Sequence, residues 1–307
     1  MASPFLIMLL FNIMCASLMP NTLRFYYPIP KFPSVSITGI RCELQCSHCK
    51  GHYLKHMPDV STPKKLREFC ITHAENGGVG LLISGGSTKE GKIPLEPYMN
   101  TIRWIKDNTR LILNLHTGML NKSEAEKITA TGVDTVSVDL VGSDETLKEV
   151  YGLQTGTQEY NATLRFLVDC GANVAPHICI GLHYGEVKGE RYALELAAEA
   201  EPEVVILISL IPTSDTPMEK AKPPSIESII KIIREAKEVC KTSEIGLGCM
   251  RYRGYKIDLE WAAIKAGVSR IALASKSTER LATEAGYKVK KLEGCCSTPK
   301  KFDPLLL

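Results

Sequence analysis

The feature that most constrains this chain is an alternation. From residue 34 onward, short apolar or β-branched runs take turns with amphipathic helical stretches, with about 25 to 35 residues to a unit. The strand candidates are SVSIT (34–38), VGLLIS (79–84), LILNLH (111–116), DTVSVDL (134–140), VAPHICIGL (174–182), VVILISL (204–210), EIGLGC (244–249) and SRIALAS (269–275), eight in all. Helix signals lie between them. The stretch STPKKLREFCITHAENGG has a Ser/Thr cap, Pro63 in its first turn and a glycine pair past its end. SEAEKITATG offers Ser123 and Glu126 as a capping box, and DLEWAAIKAG and STERLATEAG both close on glycine. Strands that alternate with helices make βαβ units and a parallel sheet. Eight units predict a closed (β/α)8 TIM-type barrel. The same alternation also permits a doubly wound open sheet, but no G-x-G-x-x-G follows the first strand to mark a dinucleotide site.

The 307 residues are ample for one large core, and no Ser/Gly linker, low-complexity tract or internal repeat divides them. Residues 19–307 are therefore read as a single barrel domain. The start, MASPFLIMLLFNIMCASLMP, is apolar from Phe5 to about Met14. No Lys or Arg precedes that run, and it is too short to span a bilayer as a helix. Residues 1–18 are read as an extension outside the fold, with Met19 as a second start, and the expected location is cytoplasmic. A formal charge of +3 with no long basic run argues against nucleic acid, and PKKLR and YKVKK read as solvated faces.

A barrel places its chemistry just after each strand, and the sequence agrees. After the first strand come Cys42, Cys46 and Cys49, and after the second comes Ser84–Gly85–Gly86–Ser87. The later strands lead into Asn114 and His116, then Asp139, then His183 and Tyr184, then IPTSDTP (211–217), then Cys249 and Arg251. The chain has eleven cysteines, an odd and unevenly spread number that does not form a disulfide framework. Cys70, Cys170 and Cys240 sit late in helical segments, as small apolar residues do. The spacing C-x3-C-x2-C admits several chemistries. Zinc needs four closed ligands and would take His48, His52 or His56 as the fourth. A redox pair would use Cys46 and Cys49 and leave Cys42 without a role. A 4Fe–4S cluster on three thiolates keeps one iron open.

The triplet after the first strand, the glycine turn after the second and the repeated βα pattern together resemble the radical S-adenosylmethionine superfamily. The resemblance implies that Cys42, Cys46 and Cys49 ligate a 4Fe–4S cluster and that S-adenosylmethionine binds the open iron. One electron then cleaves the sulfonium, and a 5′-deoxyadenosyl radical abstracts hydrogen from the substrate. It further implies that His48 packs near the adenine, where the family usually has an aromatic residue. Ser84, Gly85, Gly86 and Ser87 would receive the methionyl amino group. The family often has Glu at the position of Ser87, and serine there leaves backbone contacts in place of an ionic one. Asn114, His116 and Asp139 are expected near the cofactor. Arg251 is expected at the methionyl carboxylate, a substrate carboxylate or a second cluster.

The stretches FPSVSITGIRCELQCSHCKGHYLKHM, GVGLLISGG, ICIGLHYGEVKGE and GLGCMRYRG resemble biotin synthase-related proteins over roughly residues 24 to 296. Some of that group act as lipoyl synthase components. This branch implies a transferase-type enzyme that inserts sulfur at an unactivated carbon, with a second iron–sulfur cluster as the source. Cys249, Cys295 and Cys296 are the candidate ligands of that cluster, although adjacent side chains diverge and one of the last two would then stand by. Cys179 reads as a core cysteine within its strand. A reducing electron donor, a lipoyl-type carrier protein and a second synthase subunit would be the partners. Other outcomes of the same radical, such as C–C bond formation or rearrangement, are the alternative, as is a non-catalytic metal-binding or electron-carrying role.

Overall fold

The computed structural model describes residues 22–307, so the expectation for residues 1–18 falls outside the described part. Ten strands form one sheet: β1 (Thr22–Tyr26), β2 (Ser34–Ser36), β3 (Gly80–Ser84), β4 (Ile112–His116), β5 (Thr135–Leu140), β6 (Val174–Ile180), β7 (Val204–Ser209), β8 (Glu244–Leu247), β9 (Arg270–Ala272) and β10 (Lys288–Leu292). Every neighbouring pair is parallel. The eight expected strands are β2 to β9, and they lie side by side in chain order.

β1 and β10 were not anticipated from the pattern. β1 inserts beyond β9, and β10 adds outside β1, so the order runs β10-β1-β9-β8-β7-β6-β5-β4-β3-β2. The end strands β10 and β2 do not pair, and the TIM-type barrel is therefore left open along one seam. The sheet is nevertheless strongly curled. Tyr26, Ile112, Ala175, Ile206, Ala272 and Leu292, from six different strands, meet in one buried cluster on its concave side. Leu81, Leu113, Val136 and Val205 face the other way, into the core beneath the helices. This is the period-two alternation of a strand with both faces covered.

The covering helices are α1 (Pro63–Glu75), α2 (Met99–Asn108), α3 (Lys122–Thr129), α4 (Asp144–Thr146), α5 (Thr157–Asp169), α6 (Glu190–Glu199), α7 (Ile226–Val239), α8 (Lys256–Lys265) and α9 (Lys276–Glu284). A π-helical turn, Leu147–Tyr151, continues α4. Thr62 caps α1 by accepting from Lys65 N, with Pro63 at the first position. The capping box of α3 is Asn121 with Glu124, two residues earlier than the Ser123–Glu126 pair expected from sequence. Asn121 has the extended backbone a cap needs, whereas Ser123 already lies inside the helix. No helix among the described residues is long and apolar enough to cross a membrane.

The chain ends as the floor of the concave side. Asn114 Nδ2 donates to Ser297 Oγ at 2.8 Å, and Arg270 Nη1 donates to the carbonyls of Cys296 and Thr298 at 3.1 and 2.6 Å. Leu306 and Cys296 complete the apolar cluster there. The opposite end, where the strands finish, stays open.

Candidate active site

The cysteine loop and the glycine turn form one unit. After β3 the backbone of Ser84 accepts from Ile37 N at 2.8 Å, and Ser87 O accepts from Glu43 N at 2.8 Å. Gly86 N donates to Thr38 Oγ1 at 2.7 Å, and the Cys42 thiol reaches Ser87 O at 3.8 Å. A Cβ on Gly86 would stand 2.0 Å from Arg41 O and 2.7 Å from Cys42 Cβ. Only glycine allows the two backbones to approach so closely.

Cys42, Cys46 and Cys49 are all free thiols, Cys46 buried and the other two half-buried. The contact between Cys46 and Cys49 pushes the Cys49 thiol down, where His48 adds to it, and the Cys46 thiol up, where burial adds to it. Beside them the buried His48 Nδ1 has no hydrogen-bond partner. Three convergent thiols, a backbone-lined turn and an orphaned ring nitrogen suit a three-thiolate cluster and a polar ligand bound beside it.

The loop opens onto a cavity of about 210 Å³ at the ends of β4 to β7. Its polar lining includes His48, Tyr53, His116, Asp139 and His177, and its apolar lining includes Leu140, Leu182, Ile208, Leu210, Ile211 and Met250. His116 Nε2 lies 3.5 Å from Asp139 Oδ1. Burial works against charge on both, yet each favours the charged form of the other. The Asp139 carboxylate raises the His116 pKa, and His116 with His177 brings Asp139 down to about 2. His177 packs edge-on against His116 at 5.9 Å, and its Nδ1 bonds Ala175 O at 2.9 Å. Burial, then the charge of His116, lowers its pKa to about 4. The cavity thus carries a paired histidine and carboxylate and a second imidazole whose proton is held weakly, on otherwise apolar walls.

The chain is similar to known proteins over most of its length. Biotin synthase of Geotalea daltonii is 26% identical over 271 residues, covering 83% of this chain and 80% of that protein. Among solved structures, methylornithine synthase (PylB) superposes with a TM-score of 0.61 at 15% identity, covering 94% of this chain and 91% of its own. HydG, a maturase of the FeFe-hydrogenase, superposes with a TM-score of 0.64 at 15% identity, covering 89% of this chain, which spans 62% of HydG. No protein-family model matches. The chain is thus similar in sequence to biotin synthase over about four fifths of its length, and it shares the barrel fold of methylornithine synthase and HydG.

Within this barrel, the structure gathers some of the sequence candidates and disperses others. His48, His116 and Asp139 line the cavity. Asn114 lies deeper, its amide spent on Ser297 and on Ser137, whose Oγ donates to Asn114 Oδ1 at 3.0 Å. Arg251 is buried in the wall. Its Nη1 donates to Gly248 O and Ala272 O at 2.5 and 2.8 Å, and its Nη2 pairs with Glu260. Cys249 is exposed at the end of β8, Cys295 is half-buried near Asn114, and Cys296 is buried in the floor cluster. His183 sits against Glu145 and Glu149 instead of in the cavity, and Tyr184 is exposed. Cys179, read as a core residue, lines the cavity.

Sequence reasoning passed over Tyr53, Tyr151 and His177. His177 had a usable signal: it lies directly beside Asp139 in the β5–β6 register and two residues before Cys179, so it shares their inward face. Tyr53 stands only four residues past Cys49 and bonds Thr213 Oγ1 at 2.8 Å. Tyr151 reaches His48, ring centres 5.6 Å apart, from a π-helical turn that no sequence period announces.

Proposed function

We propose that this chain inserts sulfur at an unactivated carbon of an acyl chain, as a lipoyl synthase component or a biotin synthase-like enzyme. Cys42, Cys46 and Cys49 would hold the 4Fe–4S cluster, with the turn Ser84–Ser87 and His48 at S-adenosylmethionine. When bound, the cluster supplies an electron and S-adenosylmethionine the hydrogen-abstracting fragment. The observation that carries this reading is the docking of the glycine turn on the cysteine loop, at the mouth of a cavity formed by the strand ends.

The chain's own residues supply the surroundings. Leu140, Leu182, Leu210, Ile211 and Met250 keep water from a reacting carbon and favour an aliphatic chain. The His116–Asp139 pair is the fixed polar anchor, oriented toward hydroxyl, carbonyl or carboxylate groups of whatever binds. His177, kept neutral, holds its Nδ1 at Ala175 O, so the ring is oriented without adding charge. Arg251 is proposed to act through the wall, as the partner of Glu260, rather than at a ligand.

A second iron–sulfur cluster belongs to this proposal, with Cys249, Cys295 and Cys296 as its ligands. Its support is the position of Cys295, which Ser297 Oγ meets at 3.0 Å and Asn114 Nδ2 at 3.8 Å below His116. A reducing partner, a lipoyl-type carrier and a second subunit complete the proposal, with a cytoplasmic location. One observation favours another radical outcome without a second cluster: the Cys296 side chain is packed among Tyr26, Phe32 and Leu306.

Iron content separates the two. Anaerobically reconstituted chain carrying more than about four irons, with release of 5′-deoxyadenosine and sulfur appearing on an octanoylated carrier, is the expected result. About four irons would remove the second cluster and sulfur insertion of this type. Absence of 5′-deoxyadenosine with dithionite and S-adenosylmethionine would remove the enzyme reading altogether.

A further inference from the structure

Away from the cavity, Glu145, Glu149 and His183 bring three ligand atoms within 4.8 Å of one another. His183 is only 8% exposed. Its Nδ1 is tied to Thr146 Oγ1 at 3.2 Å. Its Nε2 faces Glu145 Oε1 and Glu149 Oε2, each at 3.8 Å. That distance is too long for an N–H···O bond, and no hydrogen bond reaches Nε2 from any described residue. An unpaired nitrogen of a largely buried imidazole, held between two carboxylates at that spacing, leaves room for an ion, with each donor a modest shift from bonding distance.

The two supports are fixed. Glu145 and Glu149 lie on α4 and the π-helical turn after β5, and His183 lies in the loop after β6. A Cβ on Gly142 would fall 1.8 Å from Gly189 O, so these two loops meet backbone to backbone. The contact from Thr146 to Nδ1 sets the ring orientation, as a second partner does for a metal-bound histidine. Lys188 pairs with the other oxygen of Glu145, leaving Oε1 free to point inward. The Glu145 and Glu149 carboxylates outnumber the one ammonium beside them, that of Lys188, an excess of negative charge that a divalent cation would reverse.

We propose that Glu145, Glu149 and His183 form a site for a divalent transition-metal ion that staples the segment 144–151 to the loop after β6. One imidazole and two carboxylates suit Mn²⁺, Fe²⁺ or Zn²⁺. The staple bears on the radical site from behind. Val150 O accepts from Ser47 N at 2.7 Å and Glu149 O accepts from Ser47 Oγ at 3.2 Å, which holds the cysteine loop. Tyr151, the last residue of the segment, packs on His48.

Mn²⁺ is the probe, because it avoids thiolates and so ignores the cysteines. Cluster-loaded full-length chain, freed of adventitious metal by a chelator, is titrated anaerobically and free Mn²⁺ is read by electron paramagnetic resonance. The expected result is one tightly bound Mn²⁺ per chain, displaced by Zn²⁺. Glu149→Gln, close in shape to the original, should weaken binding at least tenfold, and His183→Ala should abolish it. Lys188→Ala should tighten it, since a like charge leaves the ion's surroundings. Mn²⁺ should raise the melting temperature of the unsubstituted chain and not of Glu149→Gln. No binding below about 1 mM, or equal binding in Glu149→Gln and the unsubstituted chain, overturns the site.

Discussion

Residue by residue, the cavity is a set of opposed charges placed where burial disfavours charge. His177 shows what this costs. Its folded pKa, lowered to about 4, lies below the ordinary value of 6.5, so between those values the unfolded chain binds the extra proton. Stability therefore rises with pH through that window and levels off above it. Urea unfolding of the apo chain should show roughly 2 kcal/mol less stability near pH 5 than near pH 7, a drop that His177→Gln lacks. The same pH dependence in both proteins would mean that another group carries it. Asp139 works in the opposite window. Its pKa of about 2 gives stability that is present above the ordinary carboxylate value and lost only as pH falls through about 2. The raised His116 contributes below pH 6.5 and fades as pH climbs through its folded value. Asp139→Asn should therefore lower the His116 pKa, read by NMR, and an unmoved His116 titration would deny the pairing. The sequence showed His116 and Asp139 as polar residues at strand ends. It did not show His177 as their neighbour, because that follows from strand register.

At the scale of elements, the site depends on how closely two loops fit. Gly85 and Gly86 are adjacent in sequence and unequal in the fold. A Cβ at Gly86 meets the Arg41 carbonyl and Cys42 at distances no real contact tolerates, and one at Gly85 meets Ile37 and Thr38 side chains at 3.1 to 3.2 Å. Gly86→Ala should thus push the cysteine loop off β3 and lose most of the bound iron, with the far-ultraviolet helix signal kept. Gly85→Ala should retain most of its iron. Equal iron in the two variants would show that the close approach is not what orders the loop. The elements themselves were legible where caps and periods agree, as at Thr62, Pro63 and the eight strands β2 to β9. They were missed where the cue is weak. β10 reads Lys288-Val-Lys-Lys-Leu, a lysine-rich run that looks like a solvated face, and it lies at the edge of the sheet, where lysines discourage further pairing.

The whole molecule is held together by its ends. β1 near the start and residues 293–306 at the end close the floor beneath the cavity, and Arg270 joins them. Its fully buried guanidinium pairs with Glu244 at 2.5 Å and Glu203 at 2.6 Å, and also donates to the carbonyls of Cys296 and Thr298. Arg24 adds a bond from Nε to Asp303 Oδ2 at 2.8 Å. Arg270→Ala leaves the Cys296 and Thr298 carbonyls without their donor and takes one partner from Glu244 and Glu203, which keep Arg24 and Lys300, so it should cost on the order of 3 kcal/mol in chemical denaturation. A loss below about 1 kcal/mol would mean that the floor is carried by Tyr26, Phe32 and Leu306 alone. By itself, the sequence determined the parallel βα architecture, the cysteine triplet and the glycine turn, because hydrophobic period, cap chemistry and ligand spacing are local properties of a chain. Only the tertiary structure decided the open seam, the plugging of the barrel by its own C-terminus, the engagement of Arg251 by Glu260, and the meeting of Glu145, Glu149 and His183. Each of these joins residues from separate turns of the sheet. Their pairing depends on curl, register and close backbone approach, which no stretch of sequence specifies alone.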